Sequence, residues 1–173
     1  MNDRELNERF KLVRQKDVKA FEEVYNDMKT PVFTVILRIA QSRELAEDVL
    51  QELFVKLFTS PPGEKVKKPR AYILQMAHNM AIDAVRSRPQ HADIADFENL
   101  SAREAEPEAA DARQALAALP LSERRIVAMH INGGLKFREI AAVTGEPLGT
   151  VLWRYRKALD SLRRMLEGGS YES

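Results

Sequence analysis

The stretch 151–165 concentrates side chains that could bind a polyanion. It contains Trp153, the only tryptophan of the chain, and a single acidic residue, Asp160. At helical spacing an apolar stripe forms one side, which we expect to be buried, and the cations and the indole lie largely on another. The stripe is Val151, Tyr155, Leu159 and Leu162, and the other side is Trp153, Arg156, Lys157, Arg163 and Arg164, with Arg154 at its margin. A helix face of one charge is typical of contact with nucleic-acid phosphates.

The residues before this helix predict how it is held. In FREIAAVTGEPLGTV, Ala141, Gly145 and Val151 have the spacing A-x3-G-x5-V. A helix-turn-helix needs a small residue where its helices cross, a glycine with positive φ in the turn, and an apolar anchor in the second helix. Any pair of helices joined by a glycine turn could imitate this pattern, but the cationic face favours DNA binding.

The elements that carry these residues are all predicted to be helices, because apolar residues recur at helical spacing almost throughout. Two apolar helices are expected at 17–25 and 31–39, and an amphipathic helix is expected to begin after Ser42 as N-cap and to end at 59–63, TSPPG. Another helix is expected up to about Arg88. In the C-terminal half we expect a break at Leu119-Pro120, a helix capped by Ser122 and ended by 133–134, and two further helices.

Charge divides the chain into two halves. Residues 64–90 and 113–166 are basic, whereas 91–112 hold seven acidic side chains and one basic one. We therefore predict an all-α protein of two small helical domains, 1–89 and 113–173, joined by a flexible acidic linker at 90–112.

Several classes of function find no support in the sequence. The chain has no cysteine, so a disulfide framework and a thiolate metal site are excluded. Its three histidines, His78, His91 and His130, lie far apart and show no ligand or catalytic spacing. No cofactor is implied, no enzymatic activity is expected, and the absence of an apolar export segment predicts a cytoplasmic protein without membrane contact of its own.

Two motif sets resemble a known family. The sequence LPLSERRIVAMHINGGLKFREIAAVTGEPLGTVLWRYRKAL resembles region 4 of bacterial sigma factors of the extracytoplasmic-function group. LAEDVLQELFVKLF, followed by YILQMAHNMAIDAVR, resembles their region 2. The resemblance implies a promoter-specificity subunit of RNA polymerase that works by binding.

The resemblance also implies a role for particular residues. Four residues would dock on the clamp helices of the polymerase β′ chain: Asp48, Gln51, Glu52 and Phe54. The loop after that helix and the next helix would capture the −10 promoter element through Lys67, Lys68, Arg70, Tyr72, Asn79 and Arg86. The −35 element would be contacted from Leu152, Trp153, Arg154, Arg156 and Lys157. Further implied partners are the polymerase β flap and an anti-sigma factor that holds the chain inactive.

Two alternatives remain open at this point. A stand-alone helix-turn-helix regulator would use its N-terminal helices only to dimerise or to bind a ligand. An interaction protein that binds no DNA would show no salt-dependent affinity for DNA in any context.

Overall fold

A computed structural model describes residues 1–88 and 107–168, which form helices joined by short loops and contain no strand. The N-terminal half consists of α1 (Asp3–Arg14), α2 (Val18–Ala40), α3 (Arg43–Thr59) and α4 (Pro69–Arg86). The C-terminal half consists of α5 (Pro107–Ala118), α6 (Leu121–Val127), a π-helical turn (Ala128–Asn132), α7 (Phe137–Thr144) and α8 (Leu148–Gly168). The predicted all-α class is confirmed.

The linker predicted at 90–112 lies mostly outside the described residues. Its last part does not: α5 begins at Pro107, six residues before the expected start of the C-terminal domain at 113. Proline is well tolerated at the first position of a helix, and the alanine-rich sequence that follows has high helix propensity. The acidic composition of this segment indicated a linker, so the helix was not predicted from the sequence.

Helix α1 begins with a capping box. The Asn2 side chain accepts a hydrogen bond from the Glu5 N–H, and the Glu5 side chain accepts one from the Asn2 N–H. Leu6, Phe10 and Val13 recur at spacings of four and three and are fully buried. Helix α1 is therefore a packed part of the N-terminal half.

Helix α2 is one continuous helix, and the prediction of two helices at 17–25 and 31–39 is wrong. Pro31 lies inside it. A proline within a helix removes one backbone hydrogen bond and often breaks the helix. Here Val24, Met28 and Val32 continue one buried face past Pro31, and packing of that face against α3 and α4 offsets the missing bond.

Two predicted helix caps have different outcomes. Ser42 caps α3 as predicted, since its Oγ accepts a hydrogen bond from the Leu45 N–H at 3.3 Å. Ser122 does not cap the helix that follows the Leu119-Pro120 break. That helix begins at Leu121, and Pro120 occupies the N-cap position without a side-chain bond.

The two halves share one hydrophobic core. Ile126, Met129 and Leu135 of the C-terminal half belong to the same buried cluster as the core residues of α1–α4. A smaller cluster of Leu119, Val127 and Ala158 lies within the C-terminal half. Helix α6 and the π-helical turn therefore pack directly on α2, and α7 packs on α4.

A buried arginine ties the halves together. Arg124 on α6 donates to the carbonyl oxygens of Arg38 at 2.7 Å and Ile39 at 3.1 Å, and to that of Leu119 at 2.9 Å. Arg38 and Ile39 lie in the last turn of α2, whose carbonyls lack partners within the helix. Burial lowers the pKa of Arg124. Gln41 adds a bond from its Nε2 to the Ala117 oxygen at 2.8 Å.

Candidate nucleic-acid interface

The helix-turn-helix is built from α7 and α8. Gly145 has φ +72°, in the left-handed region, and its N–H donates to the Ala141 oxygen at 2.9 Å, which ends α7. Ile140 and Val151 are fully buried and anchor the two helices. The glycine and the apolar anchor predicted from the spacing are confirmed.

The outward face of α8 carries Trp153. Its side chain is 56% exposed, so the indole is not part of the core. Lys157 Nζ lies 5.0 Å from the centre of the ring and 3.7 Å from Glu123 Oε1. Arg156 is exposed as well, and Leu152 is half-buried. The indole therefore has a cation as its neighbour and a large surface open to a ligand.

The buried stripe of α8 differs from the prediction at one position. Leu159 is 39% exposed, and Ala158 is fully buried instead. The helical period of the inward face runs through Val151, Ala158 and the half-buried Leu162. Leu159 lies to one side of this face, away from the contact with α5 and α6. The expectation that Leu159 is buried is therefore wrong.

Arg154 contacts an acidic residue of the turn. Its Nε lies 3.3 Å from Glu146 Oε2, in an orientation that makes a Coulombic pair without a well-aligned hydrogen bond. Glu146 Oε1 accepts a hydrogen bond from Arg125 Nη2 at 3.0 Å. Arg154 is half-buried, so it stabilises the turn in this structure, whereas Arg156 and Lys157 point outward.

The outer face of α3 is polar and acidic, and its opposite face is apolar and buried. Asp48, Gln51 and Glu52 are exposed as expected. Phe54 is not: it is 4% exposed, and its ring centre lies 4.8 Å from that of Tyr25. Phe54 therefore packs in the core of the free chain and offers little surface to a partner, and its contact with the β′ clamp helices stays a prediction.

A different apolar residue lies on that outer face. Val55 is 56% exposed, one helical turn after Gln51 and Glu52. Exposed large apolar side chains next to a polar cluster suit protein contacts. The sequence interpretation missed Val55, although its spacing of three and four from Glu52 and Gln51 was a usable signal.

The basic loop, residues 60–68 between α3 and α4, exposes its cations. Lys67 and Lys68 are both exposed, as are Asn79 and Arg86 on α4. Each of these four side chains is open to solvent and could contact a nucleic acid. Cations of this kind can follow the phosphates of a single strand, and an amide can pair with a base edge.

Arg70 and Tyr72 face the C-terminal half. Arg70 Nε donates to the Gly133 oxygen at 3.3 Å, and its Nη1 lies 3.7 Å from Met28 Sδ. Tyr72 is half-buried and lines an open cleft of about 330 Å³ with Lys68 and with residues of α7. The lining also includes Gln75, Arg138, Glu139 and Val143. In this structure α7 therefore lies against part of the predicted −10 surface.

His78 lies beneath Asn79. The His78 ring is 4% exposed, and its Nδ1 bonds to Asn79 Oδ1 at 2.9 Å. Because an amide oxygen accepts, Nδ1 carries the proton and Nε2 faces Arg125 Nη1 at 3.4 Å as an acceptor. Burial lowers the pKa of His78 below its ordinary value of 6.5; the bond to Asn79 opposes this, and the cations Arg125 and Arg86 reinforce it.

Residues 1–88 and 107–168 contain neither a metal-binding cluster nor a membrane-spanning helix. No group of three or more His, Asp or Glu side chains there could hold a metal ion. None of the helices in these two ranges is long and apolar enough to cross a membrane.

Comparison with known proteins gives a family for both halves. The sequence model of Sigma-70 region 2 matches residues 24–89, and that of Sigma-70, region 4 matches residues 109–162. The ECF RNA polymerase sigma factor RpoE of Cereibacter sphaeroides is 29% identical over 168 residues, with 86% of this chain and 87% of the relative covered. SigK of Mycobacterium tuberculosis, also an ECF sigma factor, is 29% identical, with 87% and 88% covered.

Solved structures have the same fold. CnrH in complex with the cytosolic domain of CnrY superimposes with a TM-score of 0.73 at 19% identity, covering 95% of this chain and 98% of that chain. The sigma factor RpoE in complex with the anti-sigma factor NepR from Bartonella quintana gives a TM-score of 0.68 at 19% identity, covering 86% and 98%.

The two sequence models belong to one family, occur in the order expected for it, and together match more than half of the chain. The relatives extend the similarity across both halves. This chain belongs to the extracytoplasmic-function group of the bacterial sigma-70 family.

Proposed function

We propose that this sigma factor directs RNA polymerase core to its promoters through three surfaces. The outer face of α3 would bind the β′ clamp helices, the basic loop with α4 would bind the −10 element, and the outer face of α8 would bind the −35 element. The C-terminal half would also contact the β flap. Such a protein acts in the cytoplasm, where the core enzyme transcribes.

One observation carries the proposal. The chain joins an acidic, exposed face of α3 with a cationic, exposed face on the second helix of a helix-turn-helix. The first suits a protein partner, and the second suits phosphates and base edges. A subunit that connects polymerase to a promoter needs both.

The domain division at 89 and 113 is part of the proposal. Promoter elements separated along DNA have to be contacted by halves that can separate. In the structure Lys68, Arg70 and Tyr72 lie against α7 or the Gly133 segment, so we propose that α5–α8 move away from α1–α4 when core polymerase binds.

An anti-sigma factor is the proposed regulator. One structural neighbour, the sigma factor RpoE of Bartonella quintana, is described in complex with the anti-sigma factor NepR, and the other, CnrH, in complex with the cytosolic domain of CnrY. On this chain Leu159 and Met165 expose apolar surface near the end of α8 that a partner helix could cover. An anti-sigma protein of this kind would compete with core polymerase for the chain.

Run-off transcription tests the proposal. Core polymerase is incubated with genomic fragments, with and without the chain, and transcript starts are mapped. We expect new starts that depend on the chain and share a −35 and a −10 sequence. The double variant Asp48→Lys and Glu52→Lys is expected to abolish them by reversing the charge of the α3 face, whereas Glu22→Lys, an exposed change on α2, is expected to retain them.

The same experiment separates the alternative. If the chain binds DNA tightly by itself and never changes transcription by core polymerase, it is a stand-alone helix-turn-helix regulator. If it shows no salt-dependent affinity for DNA either alone or with core, the DNA-binding proposal fails altogether.

A further inference from the structure

The basic loop, residues 60–68, has little structure of its own. Pro61 and Pro62 cannot donate backbone hydrogen bonds. Within the loop the Val66 N–H donates to the Gly63 oxygen at 3.1 Å, which makes one turn. A loop of this kind takes its conformation from the elements that it packs against.

Arg14, the last residue of α1, contacts the first part of this loop. Its Nη1 donates to the Pro62 oxygen at 2.7 Å, and its Nη2 lies 3.7 Å from Glu64 Oε1. The bond to Pro62 is charge-assisted, and Pro62 itself is buried. Arg14 therefore fixes the position of the backbone just before the exposed lysines.

Asp3, in the first turn of α1, contacts the other end of the loop. Helix α4 begins with Lys68 as N-cap, and the Lys68 side chain makes no capping bond. Pro69 has no N–H, so the Arg70 N–H is an unpaired donor of the first turn. Asp3 Oδ1 accepts from that N–H at 3.1 Å. Asp3 thus supplies from α1 the cap that α4 lacks in its own sequence.

Helix α1 can hold both ends because it is itself fixed. Leu6, Phe10 and Val13 between the two contacts are fully buried. Asp3 and Arg14 are separated by about 17 Å of helix. The two contacts therefore hold both ends of the loop against one packed helix.

We infer that α1 sets the conformation of the 60–68 loop through Arg14 and Asp3, and that these positioning residues thereby determine selectivity for the −10 element. Helix α1 lies outside the residues 24–89 matched by region 2. The inference rests on the proposed function, since the loop has to contact the promoter for its conformation to matter. Neither residue needs to touch DNA.

The test compares Arg14→Ala with two controls. Arg4→Ala removes a cation from the same helix, where Arg4 is exposed and pairs with Glu8, and Arg14→Lys retains the charge but replaces the forked guanidinium with a single ammonium group. Each protein is assayed for hydrogen exchange of the loop peptide, affinity for core polymerase, and transcription from promoters that differ only at −10. Thermal unfolding checks that each variant is folded.

For Arg14→Ala we expect faster exchange in the loop and a loss of about tenfold in the ratio between the preferred and substituted −10 sequences. Affinity for core should stay unchanged. Arg14→Lys should recover part of the ratio, and Arg4→Ala should retain all of it. Asp3→Ala should act as Arg14→Ala does, because it removes the other anchor.

Three results would overturn the inference, and they are distinguishable. If Lys68→Ala and Asn79→Ala change −10 selectivity while Arg14→Ala and Asp3→Ala do not, the promoter role of the loop stands and the positioning role of α1 is wrong. If none of the four changes selectivity, the proposed −10 contact fails and the inference fails with it. A change as large in Arg4→Ala would assign the effect to charge alone.

Discussion

The Nε2 atom of His78 on α4 lies 3.4 Å from Nη1 of Arg125 on α6. Arg125 in turn bonds to Glu146, which pairs with Arg154 on α8. A chain of polar contacts therefore runs from Asn79, through the buried imidazole, to the second helix of the helix-turn-helix. It crosses between the two halves of the protein.

The first prediction concerns pH. Because the pKa of His78 is lowered in the folded chain, the unfolded chain binds the proton first as pH falls. The free energy of unfolding should therefore decrease as pH falls below 6.5 and level off below the folded pKa. Urea unfolding between about pH 7.5 and pH 5.5 measures this.

Protonation of His78 would also place a third cation beside Arg125 and Arg86, so we expect the two halves to separate more readily in acid. His78→Gln should reduce the pH dependence, since glutamine does not titrate. A pH profile identical to that of the unsubstituted chain would contradict this assignment.

The second prediction concerns closure of the two halves. Lys68 Nζ and Glu139 Oε2 are 4.0 Å apart across the cleft, and the chain has no cysteine of its own. Lys68→Cys with Glu139→Cys, linked by a bis-maleimide, should lose run-off transcription, because α7 then stays against the −10 surface. The same protein before linking is the reference.

A cross-link within one helix is the matched control. Arg4→Cys with Glu8→Cys, linked by the same reagent, should retain transcription because it joins residues of α1 only. Full activity of the linked Lys68–Glu139 pair would show that promoter binding does not require the halves to separate.

The third prediction concerns Trp153. As the only tryptophan, it gives a fluorescence signal from the outer face of α8. We expect its emission to change when a −35 duplex is added, and Trp153→Ser to lower the preference for that duplex about five- to tenfold. Lys157→Ala tests whether the cation beside the ring contributes. An unchanged −35 preference in Trp153→Ser would leave only packing against Lys157 as its role.

The fourth prediction separates two neighbours on α3. Phe54→Ala should lower the free energy of unfolding by about 3–5 kcal/mol, because it leaves a cavity against Tyr25 and Phe21. Val55→Asp should change stability by less than about 0.5 kcal/mol yet weaken binding to core polymerase about tenfold. Urea unfolding measures the stability of the two variants, and a titration with core polymerase measures their binding. The opposite pattern would identify Phe54 as the contact residue.

Local chemistry explains what could be predicted from the sequence. Gly145 and Val151 have roles that follow from backbone sterics and helical period, and both are as predicted. Ser42 likewise caps its helix. The continuity of α2 through Pro31 depends on how a whole buried face packs, so the local rule that proline ends a helix gave the wrong answer there. The burial of Phe54 also depends on packing, and the resemblance that gave it a partner contact carries no information on its burial.

The contacts between the two halves could not be predicted from the sequence, for a different reason. Arg124 and Gln41 bond to backbone carbonyls 76 or more positions away, apart from the bond of Arg124 to Leu119. Neither residue lies in a motif that marks such a partner. The partners of Glu146 could not be predicted either, because nothing in the sequence around this acidic residue indicates that it will pair with Arg125 and Arg154.

The bonds of Arg124 to the end of α2 have a thermodynamic consequence for recruitment. If core polymerase binds only the open chain, its apparent affinity is the intrinsic affinity multiplied by the open fraction, so an open population of about 1% weakens binding about a hundredfold. Loosening Arg124 would then make the free protein less stable and, at the same time, a stronger competitor for polymerase. The Arg124 guanidinium thus raises the stability of the free protein and, by the same contacts, lowers its apparent affinity for polymerase.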